Sequence, residues 1–278
     1  SAAFDFARDG ALWIGTSDPK LIRFDPATGQ SRTFTSDLLI DTVQVMIDSG
    51  NRLWITGRRG LAVSSPLHEP FELTPAVTGP LSRYKPVIGV QETADGEIWA
   101  ATFQGLLRKT ASGWKAYGEE HGLRSRWLGN VNLAAGGKVW VTYRAADGAS
   151  LVRPDGDGIK VERHEDQSTG LSSNQVHAVH LDSKGRSWFS TDKGITVRDG
   201  NRLQYLDTSH GLIWNETGPG IFSEDPQGGM WIGTARGLSH YLPLPDQHQP
   251  NTVAPRVAFS EFRFGSEQIN LMAAPAEI

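Results

Sequence analysis

The chain has 278 residues, of which 38 % are hydrophobic and 21 % charged, and its formal net charge is −4. This composition is ordinary for a globular domain and gives no overall attraction to nucleic acid or to an anionic membrane, so we expect no nucleic-acid partner. The absence of cysteine excludes disulfides, thiolate metal sites and cysteine nucleophiles. The sequence shows neither an apolar run long enough to span a membrane nor a signal peptide, so the leader of an exported protein would have to lie upstream of residue 1.

Six tryptophans, 41 to 48 residues apart, mark an internal repeat. A period of this length is typical of repeat architectures. Each tryptophan follows a short apolar run and a turn, and in five repeats the turn carries a glycine three residues before the tryptophan, as Gly96 precedes Trp99. The six repeats are centred on Trp13, Trp54, Trp99, Trp140, Trp188 and Trp231.

The elements of one repeat follow in a constant order. The first repeat runs through residues 4–6, 12–16, the pair Lys20-Leu21 and a fourth strand at residues 31–35. In later repeats a glycine and an aliphatic residue open the third strand, as Gly60-Leu61, Gly105-Leu106, Gly194-Ile195 and Gly237-Leu238. Four antiparallel strands per repeat predict an all-β fold, a β-propeller of six in-chain four-stranded blades with a tryptophan in each wedge between blades. Helical periodicity is not sustained, so we expect little or no helix.

The repeat pattern is clearest in residues 169–198 and 210–241, which contain Gly-Leu, a short apolar strand, Asp-x-x-Gly-x-x-Trp and a further x-x-Gly before an aliphatic residue. These residues resemble the regulator-propeller repeats that lie outside the membrane in hybrid histidine kinases and some diguanylate cyclases. The first repeat departs from the pattern at residues 18–20. The fourth departs at the turn formed by residues 134–137 and carries what we interpret as an insert at residues 145–158.

The resemblance implies a domain arrangement. In that family a propeller, usually seven-bladed and often doubled, is followed by a small β-sandwich called the triple-tyrosine (YYY) domain, a membrane helix and a cytoplasmic module. Residues 254–262 resemble the opening strand of that sandwich. We therefore assign residues 1–243 to the propeller and 244–278 to a linker and the truncated start of the sandwich. The last repeat shows no obvious fourth strand, so the chain is interpreted as part of a longer sensor. The alternative is that residues 257–264 fold back to fill the gap.

A candidate ligand site follows from strand order. In a propeller, the loops from second to third strands and the loops between blades emerge on one face. Cations, amides and aromatic rings collect in these loops, and such groups suit a sugar or an anion. The candidate residues are Arg58, Arg59, Tyr84, Gln104, Arg126, Trp127, Arg144, Asn174, Lys193, Trp214, Asn215, Glu216 and Arg236. The alternative is that these arginines are solvated surface and that Trp127 and Trp214 fill gaps under loops. The hairpin turns of the opposite face carry aspartates, which predicts a polarised molecule.

The histidines indicate turns rather than chemistry. His121 and His210 stand where other repeats have threonine, so we expect them to be turn residues. His177 and His180 on one inner strand have no second cluster of ligands at useful spacing, so we predict no metal and no cofactor.

No serine-nucleophile elbow, phosphate-binding loop or zinc-protease motif is present in the sequence. The resemblance implies a periplasmic ligand-sensing domain without catalysis, a small molecule or oligosaccharide as ligand, membrane and cytoplasmic modules in the same full-length protein, and a homodimer. A first alternative is a propeller enzyme like streptogramin lyase or a lactonase, with Glu216 and His177 at the channel mouth. A second is a protein-interaction scaffold.

Overall fold

The computed structural model describes residues 3–67, 71–242, 261–264 and 267–270. The chain divides into two compact units, Ser1–Leu242 and Pro243–Ile278. The first unit is an all-β propeller of six blades, as the repeat predicted. Five of its sheets have four strands in the order of the sequence, and the sixth has three among the described residues.

The strands follow the repeat. Blades one to three consist of β1 (Ala3–Phe6), β2 (Leu12–Gly15), β3 (Lys20–Phe24) and β4 (Ser31–Thr35); β5 (Gln44–Ile47), β6 (Arg52–Gly57), β7 (Gly60–Pro66) and β8 (Leu73–Pro75); and β9 (Val87–Glu92), β10 (Ile98–Thr102), β11 (Gly105–Thr110) and β12 (Gly113–Tyr117). Blades four to six consist of β13 (Leu128–Ala134), β14 (Lys138–Tyr143), β15 (Ala149–Asp155) and β16 (Gly158–Glu165); β17 (Val176–Leu181), β18 (Ser187–Thr191), β19 (Gly194–Asp199) and β20 (Arg202–Leu206); and β21 (Thr217–Glu224), β22 (Met230–Thr234) and β23 (Gly237–Tyr241).

Helix is restricted to single 3-10 turns in the described part of the chain, and all of them lie in loops that join blades. They are Asp37–Leu39, Gly79–Arg83, Glu119–His121, Gln167–Thr169 and Thr208–His210. Within residues 3–67, 71–242 and the two short C-terminal strands, no helix has the length and apolar character of a membrane span.

The second unit is described only at one hairpin. Strands β24 (Glu261–Phe264) and β25 (Glu267–Asn270) pair antiparallel, with Phe262 opposite Ile269. The predicted linker and most of the predicted sandwich start, in residues 244–278, lie outside the described residues.

Glycine opens the third strand for a conformational reason. Gly105 begins β11 with φ at +132°, and a side chain there would also meet the carbonyl oxygen of Tyr117 on β12. Gly194 begins β19 with φ at +102°. Residues with a Cβ rarely adopt such angles, so the recurring Gly-aliphatic pair marks the turn into the third strand.

Five framework tryptophans form the cores between blades. Each of five buried clusters joins the tryptophan of one blade to apolar residues of the next, as Trp99 of the third blade packs with Val131 and Val139 of the fourth. The tryptophans of the first five blades are at most 3 % exposed. Burial of such rings is a large part of core energetics, so these clusters hold successive blades together.

The sixth framework tryptophan departs from the prediction. Trp231 is 38 % exposed and stacks on His240 of the same blade, with ring centroids 3.9 Å apart. Its blade is the last of the first unit, so among the described residues of that unit no later blade packs against this ring. Phe4 and Phe6, on the first strand of the first blade, are exposed as well.

The interpretation of residues 145–158 as an insert was wrong in its main part. Strand β15 occupies Ala149–Asp155 and is the regular third strand of its blade. The extra length comes instead from the loop before β15 and from strand β16, which has 8 residues where β12 has 5.

Two blades contain a triad of aspartate, arginine and tryptophan around a buried carboxylate, and in the fifth blade the arginine is buried too. In the fifth blade the carboxylate of Asp182 accepts hydrogen bonds from Arg186 Nε at 2.6 Å and Trp188 Nε1 at 2.8 Å. In the second blade Asp48 has the same arrangement with its own arginine and tryptophan. Burial alone would raise the pKa of Asp182, but these hydrogen bonds outweigh it and hold the pKa below its usual value.

The triads belong to the face of the propeller that carries the hairpin turns between first and second strands. Four of its five turn aspartates have a basic partner in the same blade. The pairs are Asp9 with Arg23, Asp48 with Arg52, Asp182 with Arg186 and Asp225 with His240. These aspartates therefore stabilise the blades, and the polarisation inferred from their sign stays a prediction.

Candidate functional site

The two faces of the propeller follow from its strand order. Because the strands of each blade are antiparallel neighbours, the loops from second to third strand lie on the same face as the loops that join blades. We call this the joining face and the other the hairpin face. The predicted site residues belong to the joining face, where the structure distributes them over separate blade junctions.

At the junction of the second and third blades, Arg59, Tyr84 and Lys85 line one cavity of about 280 Å³. Arg58 and Arg59, from the loop between β6 and β7, line an adjoining space together with Lys85. The side chain of Gln104 donates to the carbonyl oxygen of Arg83 at 2.9 Å, which fixes the loop that carries Tyr84 and Lys85. This junction therefore assembles Arg58, Arg59, Tyr84 and Gln104 of the predicted site.

At the junction of the third and fourth blades, an arginine and two aromatic rings form one cluster. Arg144 lies 5.2 Å from the ring centroid of Phe103 and 5.9 Å from that of Trp127, and the two rings meet edge to face at 6.2 Å. Trp127 is 51 % exposed, so it does not fill a gap under the loop. Arg126 instead has exposed contacts with the carboxylates of Glu119 and Glu120. The cluster offers an exposed ring beside a guanidinium.

At the junction of the fifth and sixth blades, the guanidinium of Arg236 lies 3.5 Å from the centroid of the Trp214 ring. This contact is a close cation–π pair, and it occupies one face of the indole. Lys193 and Glu216, from the loops on either side, are exposed. Of the two predicted cations of this junction, Arg236 is therefore engaged with Trp214, and Lys193 is exposed.

The two predicted asparagines have a structural role in the loops. The side-chain oxygen of Asn174 accepts a hydrogen bond from the backbone N–H of Gln167 at 2.8 Å, and that of Asn215 accepts from Thr208 N–H at 2.8 Å. Each bond ties the loop to the start of its 3-10 turn. The same spacing in both loops indicates a framework function that the sequence did not reveal.

The histidines behave largely as turn and strand residues. His121 and His210 end 3-10 turns, and each is followed by a glycine in the left-handed region. On β17, the Nε2 atoms of His177 and His180 are buried and have no hydrogen-bond partner among the described residues. Within that part of the chain, no group of three or more His, Asp or Glu side chains could hold a metal ion.

Sequence reasoning missed one aromatic residue and the apolar part of the site. Phe103 stands in the loop from β10 to β11, at the position that Asp192 occupies in the fifth blade and Ala235 in the sixth. An aromatic residue at a loop position that is small or polar in other blades could have identified Phe103 as a candidate site residue. The apolar residues Leu38, Val77 and Leu81 of the cavity come from two different blade-joining segments, so only the folded chain places them together.

A carboxylate braces two loops of the joining face, and its protonation gives a testable effect. Hydrogen bonds from Ser168 and Arg124 lower the pKa of Asp166 to about 2. Because the folded pKa lies below the unfolded value, the carboxylate stabilises the fold above about pH 4, and this contribution is lost as the pH falls toward 2.

We therefore expect Asp166→Asn to have a Tm lower than the parent chain by about 2–5 °C at pH 7, with the difference shrinking at pH 3. Circular dichroism melts at both pH values measure it. The exposed residue Asp192 supplies the control, since Asp192→Asn should change Tm little at either pH. A gap between Asp166→Asn and the parent that is equal at pH 7 and pH 3 would contradict the assigned hydrogen bonds.

The fold and this face define a six-bladed β-propeller whose joining face carries cations and aromatic rings. No protein-family model and no curated protein matches the sequence. The extracellular domain of a proposed hybrid two-component system of B. thetaiotaomicron is 19 % identical with a TM-score of 0.75, and the match covers 98 % of this chain and 38 % of that chain. A second such domain of this organism is 16 % identical with a TM-score of 0.58, over 87 % of this chain and 41 % of the other.

An enzyme has the same fold. Virginiamycin B lyase from Staphylococcus aureus is 13 % identical with a TM-score of 0.62, over 88 % of this chain and 84 % of the lyase. The chain spans well under half of the two-component domains that it matches. At these identities the likeness is one of fold, shared by extracellular domains of two-component systems and by a lyase.

Proposed function

We propose that this chain is the ligand-sensing part of a receptor of the two-component type, located outside the cytoplasmic membrane, and that its ligand binds on the joining face. The observation that carries the proposal is the concentration of cations and exposed rings there, above all Arg58, Arg59 and Lys85 at one junction and Trp127 with Arg144 at the next. The similarity to extracellular domains of two-component systems supports the same reading.

The proposal extends to the full-length protein. A histidine kinase or diguanylate cyclase module would lie on the cytoplasmic side, and the unit Pro243–Ile278 would begin the sandwich that links the propeller to the membrane. In a dimer of such receptors, a ligand changes signalling only if it binds one arrangement of the subunits more tightly than another. The propeller itself then binds without converting its ligand.

The direct test is a thermal-shift screen of the chain with small anions, amphipathic metabolites and oligosaccharides. A ligand present at about 100 times its Kd adds about 2.7 kcal/mol of stability, which is readily measured. We expect at least one class to raise Tm, and we expect Arg59→Ser combined with Arg144→Ser to abolish that rise. The matched control, Lys160→Ser combined with Lys184→Ser, removes two exposed cations that lie off the joining face and should leave it intact.

The outcomes separate the candidate functions. A rise in Tm that survives the joining-face variant and disappears in the control variant would overturn the assignment of the face. The lyase similarity and the unpartnered Nε2 of His177 keep an enzyme as the second candidate. Mass spectrometry of the ligand after prolonged incubation decides this point: recovery of unchanged ligand supports a sensor, and conversion that is lost in His177→Ala supports an enzyme.

A further inference from the structure

The junction of the second and third blades contains a cavity with an apolar interior. The cavity has a volume of about 280 Å³, near the lower end of the range for small-molecule sites, about 300–1,000 Å³. Leu61, Val77, Leu81 and Val87 contribute to its lining, and the ring of Tyr84 forms part of the wall. Leu61, Val77 and Val87 also belong to the buried cluster around the tryptophan of the second blade, so the interior is continuous with the core.

The entrance of this cavity is cationic. Arg58, Arg59 and Lys85 line an adjoining space of about 420 Å³, and Arg59 and Lys85 line both spaces. Arg58 has an exposed contact with the carboxylate of Asp41 at 3.7 Å. In the described part of the chain, Arg59 and Lys85 have no ion pair, and none of the residues that line either space is acidic. Of the three cations at the rim, only Arg58 therefore has a carboxylate partner in the described part of the chain.

Contacts of Lys85 with Gly60 and hydrogen bonds from Gln104 position the wall of the cavity near its entrance. Gly60, with φ at +119°, has no side chain, and a Cβ there would lie 3.5 Å from Cε of Lys85. The aliphatic part of Lys85 thus runs over the start of β7 and extends the apolar wall toward the rim, while its ammonium group stays at the entrance. Gln104 fixes the loop from the other side through the carbonyl oxygens of Arg83 and Lys85.

We infer that this cavity binds a small amphipathic monoanion, a carboxylate with an aliphatic or aromatic body. The body enters among Leu61, Val77 and Leu81, and the carboxylate meets Arg59 and Lys85. An oligosaccharide suits this interior less well, because the lining is mainly aliphatic and only Thr78, Ser82 and Tyr84 offer hydroxyl groups, too few to pair the many hydroxyls of a sugar chain. The inference rests on the proposed ligand-sensing function and names the class of ligand at one of its two candidate clusters.

A homologous series tests the ligand class. Isothermal titration of the chain with straight-chain carboxylates from butanoate to decanoate, below their micelle concentrations, should show Kd falling about fourfold per added CH₂ until the cavity is full. Octanol and octylammonium serve as matched neutral and cationic probes, and both should bind at least about tenfold more weakly than octanoate. Equal affinity for the three probes, or no dependence on chain length, would overturn the inference.

Variants test the location. Arg59→Ser combined with Lys85→Ser should weaken octanoate binding about tenfold or more. Leu81→Trp, which fills the cavity, should abolish the gain from longer chains. Lys184→Ser on the hairpin face is the control and should bind as the parent does, with circular dichroism reporting that each variant is folded. Octanoate binding that is unchanged in both cavity variants would refute the site.

The inference and the proposed function can fail separately. If no carboxylate binds, but another ligand raises Tm and this rise is lost in Trp127→Ala and in Arg144→Ser, the cavity assignment is wrong and the proposed function stands. If neither the carboxylates nor any class in the thermal-shift screen binds, both are wrong.

Discussion

Asp182→Ala should lower the free energy of unfolding by about 3–5 kcal/mol, because it removes the carboxylate from a buried, hydrogen-bonded ion pair. Asp182 is fully buried as a side chain and Arg186 is 4 % exposed, with 2.6 Å between Nε and the carboxylate oxygen. The same substitution removes the acceptor of Trp188 Nε1. Urea denaturation followed by circular dichroism measures the loss as a lower midpoint at an unchanged slope.

The first blade provides a matched control. Asp9 occupies the corresponding hairpin turn and pairs with Arg23 at 2.8 Å, but its side chain is 56 % exposed. Exposed ion pairs contribute about 0–1 kcal/mol, so Asp9→Ala should cost no more than about 1 kcal/mol. Similar losses for Asp9→Ala and Asp182→Ala would mean that burial of the triad does not set its energy.

The repeat fixes most of the fold in advance, because its signals have local causes. Glycine at the start of the third strand reflects positive φ, as in Gly60 and Gly105, and this requirement is visible in any single repeat. The exposure of Trp231 could not be predicted in the same way. A tryptophan at the blade position is buried only if the next blade covers it, and the sequence around Trp231 is the same whether or not that happens.

The two triads follow a sequence pattern that the sequence analysis did not recognise. Asp48 and Asp182 were interpreted as turn residues of an anionic face, although each is followed by arginine at the fourth and tryptophan at the sixth position. In the third blade Thr93 stands at the aspartate position, six residues before Trp99, and Glu97 stands at the arginine position. Glu97 pairs instead with Arg108 at 2.5 Å. The spacing of aspartate, arginine and tryptophan distinguishes a triad from an ordinary turn. The negative charge of the aspartate alone does not.

The sequence predicted which face of the propeller carries the candidate site. It did not predict the cavity on that face. Strand order assigns Arg59, Arg144 and Trp127 to one side of the propeller without any coordinates. The distances between blade junctions, and the apolar interior between the second and third blades, depend on how neighbouring loops converge. Contacts between residues distant in sequence, such as Phe103 with Trp127, need the folded chain.

The tryptophans test the architecture itself. Trp99 is completely buried and packs in the core that joins the third and fourth blades, with the guanidinium of Arg108 5.2 Å from its ring. Removal of a buried aromatic side chain leaves a cavity that the surrounding strands fill only in part. Trp99→Ala should therefore reduce the free energy of unfolding by about 3–5 kcal/mol.

Trp127→Ala is the control, because Trp127 is of the same residue type but is 51 % exposed and touches only the rim cluster of Phe103 and Arg144 in the described contacts. Its loss should cost about 1 kcal/mol or less. Urea midpoints of the two variants, measured at 25 °C against the parent chain, give the comparison. A Trp127→Ala loss equal to that of Trp99→Ala would show that burial between blades does not set the energetic contribution of these tryptophans.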